Sequence, residues 1–111
     1  MGLLTEQFKA HRDVYSCIGI NIAHLGDEDK HTLDCAFSGE MVMERDTGWF
    51  VKLYEFDKKE EGGTLETFFT ELYQGITPTL LTIFCEAYQA GYRLIEFDMD
   101  ALIVKDLPVF D

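Results

Sequence analysis

A chain of 111 residues, 47% hydrophobic and 14% aromatic, has the length of one domain and the apolar mass for one core, which excludes an intrinsically disordered chain. Its 21 Asp and Glu against 9 Lys and Arg give a formal net charge of −12. That charge repels phosphate backbones and anionic lipid, so a general nucleic-acid or membrane-surface binder is excluded as well.

Residues 3–12 read as a short helix with Leu3, Leu4 and Phe8 on one side. The opening residues lack the long apolar run and small-residue cleavage site of a secretory signal. No stretch anywhere approaches the roughly 20 apolar residues of a membrane span, so the cytoplasm is the expected compartment. Over residues 14–25, Ile18, Ile20 and Ile22 alternate with Cys17, Gly19, Asn21 and Ala23, a period-2 pattern that predicts a strand. Gly26 ends it. Asp27 then stands as the N-cap of a helix over 28–37, with Leu33, Ala36 and Phe37 at helical spacing and Ser38-Gly39 as its stop.

Residues 41–44 and 49–56 predict two strands joined by Asp46-Thr47-Gly48, a hairpin signal. On the second, Trp49, Val51 and Leu53 share one face, and Phe50, Lys52, Tyr54 and Phe56 share the other. Lys58 to Gly63 form a charged, glycine-ended loop. Leu65, Phe68, Phe69, Leu72 and Tyr73 then make an amphipathic helical stripe behind a Thr64 cap. After Gly75, Thr77-Pro78 opens another helix with Leu80, Leu81, Phe84, Cys85 and Tyr88 on its buried side and Gly91 as its stop. Residues 92–99 predict a half-buried strand, in which Ile95, Phe97 and Met99 alternate with Glu96, Asp98 and Asp100. The tail, 101–111, is apolar enough to pack back, and Pro108 restricts it to an edge strand or extended cover. The order of elements predicts an α+β fold: a single domain over 1–111, with a small, mostly antiparallel sheet of about four strands and helices packed on one face.

The chemistry-bearing residues form no strong motif. Cys17, Cys35 and Cys85 are an odd number without a CxxC pair, which is no disulfide framework. There is no GxSxG elbow and no phosphate-binding glycine loop, so no catalytic residue and no cofactor are assigned. His24, Asp27 and His31 are the densest possible metal ligands, although their spacing fits no ligand rule and a capped helix start accounts for them. Glu96, Asp98 and Asp100 form a carboxylate row about 7 Å apart along a strand. Such a row can act as acid and base or hold a hard cation, but a solvated strand face explains it more simply. Set beside Phe50, Lys52, Tyr54 and Phe56, these carboxylates predict a mixed aromatic and acidic interaction surface.

Three stretches carry a family resemblance: Ile20-Asn21-Ile22-Ala23-His24-Leu25 with Asp27-Glu28-Asp29, the run from Met43 through Trp49 to Leu53, and Leu94-Ile95-Glu96-Phe97-Asp98-Met99-Asp100 with the ending Leu107-Pro108-Val109-Phe110-Asp111. In these the chain resembles an uncharacterised family of small proteins encoded on plasmids and genomic islands of Gram-negative bacteria. The resemblance covers most of the chain after residue 17 and leaves the first 16 residues outside. It implies a bacterial mobile-element origin and carries no catalytic residues across. Three functions compete. One is a non-enzymatic interaction module for a partner with a basic surface, as an inhibitor or nucleic-acid mimic. Another is a small metal-dependent enzyme or ligand binder. The third is a self-associating domain that buries Phe50, Tyr54 and Phe56 against a homodimer mate.

Overall fold

The computed structural model describes residues 2–35, 42–45, 48–56 and 62–110. In chain order its elements are helix α1 (Leu3–Ala10), strand β1 (Cys17–Asn21), a 3-10 turn (Ile22–His24), α2 (Asp27–Cys35), β2 (Val42–Arg45), β3 (Gly48–Lys52), α3 (Leu65–Leu72), α4 (Pro78–Gln89) and β4 (Leu94–Asp98). The sheet order is β1-β4-β3-β2. The sheet is mixed rather than fully antiparallel, with two antiparallel pairings and one parallel. β2 with β3 and β3 with β4 run antiparallel, whereas β1 pairs parallel to β4 with Ile18 opposite Ile95 and Ile20 opposite Phe97. The sequence gives no sign of this because β1 and β4 lie at opposite ends of the chain, so only tertiary pairing sets their direction.

β1 is shorter than residues 14–25. Asn21 breaks it: its side-chain oxygen accepts the Ala23 N–H at 2.8 Å and starts the 3-10 turn. α2 begins at Asp27, one residue before its expected start, with Asp27, Glu28 and Asp29 in the first turn, where the helix dipole favours carboxylates. The expected stop of α2 at Ser38-Gly39 and the loop at 58–61 lie outside the described residues. α3 and α4 start as their caps predict: Thr64 accepts the N–H of Thr67, Thr77 accepts that of Leu80, and Pro78 is the first residue of α4. Gly91, at φ 101°, takes the left-handed turn that ends α4. At the start of β3 the strands approach so closely that a Cβ on Gly48 would fall inside the Phe97 carbonyl.

One sheet face is buried. Ile20, Val51, Ile95 and Phe97 project from it into a cluster with Leu33 of α2, Leu65 and Phe69 of α3, and Leu80, Ile83 and Phe84 of α4. Helices α2, α3 and α4 therefore pack on one side of the sheet. α1 buries none of its residues. The radius of gyration, 15.4 Å, exceeds the roughly 13 Å of a compact chain of this length. No helix among the described residues is long and apolar enough to cross a membrane.

Cys85 belongs to this core, and burial, reinforced by Glu66 and Glu86, pushes its thiol up to about 11. Cys17 is exposed at the start of β1, although partial desolvation raises its thiol too. In a Cys35→Ser background, a thiol reagent is expected to titrate Cys17 in the native protein and to reach Cys85 only after unfolding. The linkage has one sign. An unfolded Cys85 ionises near its ordinary 9.0, before the folded one does, so its contribution to stability is complete below pH 9 and declines as pH rises towards 11. Urea midpoints measured between pH 7 and 10.5, compared with those of Cys85→Ala, check this.

Candidate interaction surface

The outer sheet face follows from the pleat. Each residue that turns inward leaves its neighbours turned outward, so Cys17, Gly19 and Asn21 of β1, Glu96 and Asp98 of β4, and Phe50 and Lys52 of β3 share the outer face. Phe50 lies opposite Glu96, and Lys52 opposite Leu94. Lys52 and Cys17 are exposed, whereas Phe50, Glu96 and Asp98 are half-buried. Tyr54 follows on the same side, with the Lys52 ammonium 5.4 Å from its ring centre. Tyr15 joins it there, in a recess of about 210 Å³ bordered by Lys52, Tyr54 and Leu94.

Two members of the expected surface sit elsewhere. β3 ends at Lys52, so its alternation does not carry through to Phe56, whose ring packs 5.2 Å from that of Phe68 beside the core. Asp100 lies past the end of β4 in an exposed turn, where its N–H donates to the Asp98 Oδ1 at 2.9 Å. The carboxylate row is thus two strand residues and a turn residue.

His24, Asp27 and His31 are not brought together as ligands. His24 is fully buried. Its Nε2 accepts the Val104 N–H at 2.9 Å, so Nδ1 carries the proton and donates it to the Pro108 carbonyl at 2.8 Å. Both nitrogens are therefore occupied, while Asp27 and His31 lie exposed on α2. Among the described residues no group of three or more His, Cys, Asp or Glu is placed to hold a metal ion.

What His24 holds is the tail. Asn21 Nδ2 donates to the carbonyls of Met99 (3.2 Å) and Ala101 (2.7 Å), and the Phe110 N–H donates to Ala23 at 2.7 Å. Residues 99–110 thus form a strap that starts against Gly19 on the outer face, where Ala101 packs, and ends against Gly26, where Phe110 packs. Most of the strap is exposed, so hydrogen bonds from residues 21–24 hold it more than apolar burial does. His24→Ala is expected to cost about 1–3 kcal/mol, the penalty for stranding two backbone groups. Amide exchange checks it: Val104 should lose protection far more than Ile95 does.

A second feature escaped the sequence. Arg93 lies 3.8 Å from the Tyr88 ring centre, bonds Glu55 at 2.8 Å, and donates to the Tyr88 and Tyr92 carbonyls. Arg93 first, and then the Tyr88 hydroxyl, hold the Glu55 carboxyl below its ordinary range. The pairing of a lone Arg with an exposed Glu 38 residues away has no sequence signal. Further exposed carboxylates lie on the helices. Asp27, Glu28 and Asp34 are exposed on α2, Glu66 and Glu71 on α3, and Glu86 on α4.

No curated protein and no solved structure matches this chain. A family model described as the C-terminal domain of a family of unknown function, DUF5983, matches residues 17–111, which are β1 through the strap. The chain belongs to the DUF5983 family, and α1 lies outside the part that the family defines.

Proposed function

We propose that this domain is a non-enzymatic protein-interaction module whose outer sheet face receives a partner with a basic surface. The observation that carries the reading is the composition of that face. A central strand presents Glu96 and Asp98 outward with Asp100 just beyond, and Phe50 and Tyr54 stand beside them. Aromatic rings supply contact area and carboxylates steer a basic partner, a combination suited to recognition. A bacterial mobile-element origin, implied by the resemblance, makes a host or defence protein the partner.

The test is a pull-down from bacterial lysate at low and high salt with three proteins: wild type, E96K/D100K and E66K/E71K. A partner retained by wild type and E66K/E71K, lost by E96K/D100K and released by salt is expected, because exposed charge pairs are screened. Equal loss in both variants would reduce the effect to net charge. Retention by all three, or no partner at all, sinks the reading.

A further inference from the structure

Behind the sheet, on the side away from the outer face, β1 and α4 stand apart along a cleft of about 490 Å³. Ile20, Ile83 and Ala87 form its floor, and Ile18 and the strap residue Val104 form its lips. The strap adds a further apolar residue to the lining, Leu107. Both charged side chains that line the cleft, Glu86 and Asp106, are acidic.

The same chain carries a segment of complementary chemistry. α1 buries nothing, and its Leu3, Leu4 and Phe8 are 76%, 62% and 69% exposed. Leu4 and Phe8 lie one turn apart and share a face. Lys9 and Arg12, two of only 9 basic residues in the chain, follow directly. An apolar helix face whose end carries Lys9, held only by an exposed 3.9 Å pair with Glu6, and Arg12 thus stands in one molecule with an apolar cleft that has an acidic rim.

We propose that α1 of one copy lies in the β1–α4 cleft of a second copy. Leu4 and Phe8 sit over Ile20 and Ile83, and Lys9 and Arg12 face Glu86 and Asp106. This is helix-in-groove recognition, and its reciprocal exchange closes as a twofold dimer. The occupant is a second copy because, within one chain, α1 buries none of its residues and none of them lines the cleft. The dimer leaves the outer face free, so it stands apart from the interaction proposed above.

Sedimentation equilibrium of the full chain, from micromolar to millimolar concentration, tests the proposal. Wild type is expected to dimerise. L4D/F8D should raise the dissociation constant about a hundredfold, as removal of central apolar anchors does. Because α1 contributes nothing to the core, that variant keeps a folded monomer, which circular dichroism verifies. K9E/R12E and E86K/D106K should each weaken the dimer about tenfold, and the combined fourfold charge swap should recover it. A wild type that stays monomeric at millimolar concentration overturns the proposal. So does a dimer indifferent to L4D/F8D, or one that E86K/D106K leaves as tight as before.

Discussion

Phe69→Ala is expected to destabilise the protein by about 3–5 kcal/mol, a large share of the roughly 5–15 kcal/mol available to a domain of this size. Phe69 is wholly buried and is the hub of the aromatic cluster between α3 and α4. Its ring centre is 5.5 Å from that of Tyr73, 5.7 Å from Tyr88 and 6.3 Å from Phe84, all edge-on, at interplanar angles of 71°, 83° and 87°. Removing it costs the transfer energy of the ring, the cavity left behind and the edge-to-face contacts, each of the latter worth about 0.5–1.5 kcal/mol beyond area. Urea titration followed by circular dichroism measures the loss, and the melting temperature should fall on the order of 15 °C or more. Phe8→Ala is the matched control. At 69% exposure on a helix with no buried residue, Phe8 should change monomer stability by less than about 0.5 kcal/mol. If the two substitutions cost the same, the core is not where the structure puts it.

Phe69 was also the easiest part of the fold to find. Its helix stripe repeats apolar residues at 65, 68, 69 and 72 behind a threonine cap, and α4 opens on Thr-Pro, so local chemistry alone fixes both starts. α4 shows where local chemistry stops. Leu80, Phe84 and Cys85 of the expected buried side are buried, but Leu81 and Tyr88 are half-buried, and Ile83 and Ala87 are buried in their place. The apolar residues wrap most of the way round this helix, so periodicity does not decide which stripe meets the sheet. The parallel pairing of β1 and β4 decides it, by placing Ile18 and Ile20 across from Ile83 and Ala87. The cleft there joins residues from both ends of the chain and was invisible for the same reason.

The candidate surface was legible in part. Alternation along β3 and β4 correctly put Phe50 and Lys52 with Glu96 and Asp98, because a strand's pleat needs no tertiary information. It failed at Phe56 and Asp100, past the strand ends, where no residue type marks the point at which pairing stops. His24 is the sharper lesson. A histidine near acidic residues suggests a ligand, and its two backbone partners, 80 and 84 residues away, carry no sequence signal. A buried histidine with both nitrogens bonded to main chain orders a tail.

Asp29 is the polar counterpart of Phe69, and Asp29→Ala is expected to cost about 2–5 kcal/mol, through two stranded donors. The carboxylate is 4% exposed. Oδ2 accepts the N–H of Gly26, just before α2, at 2.7 Å, the back-reaching half of a capping box. Oδ1 accepts the Thr77 hydroxyl at 2.5 Å, and that same hydroxyl oxygen accepts the Leu80 N–H to cap α4. One side chain therefore fixes the starts of two helices, through a bond between residues 48 apart in sequence. Removing it leaves the Gly26 N–H and the Thr77 hydroxyl without their acceptor in a buried site and loosens both caps at once. A double-mutant cycle with Thr77→Ala isolates the link. Thr77→Ala alone should cost about 1 kcal/mol as a lost cap, and the coupling energy should lie between about 0.5 and 3 kcal/mol. Asp29→Asn should fall between wild type and Asp29→Ala, since an amide oxygen can keep one of the two bonds while its NH₂ reverses the other. A coupling energy near zero in chemical denaturation would mean that the two helix starts are held independently, and that the carboxylate's burial has some other cause.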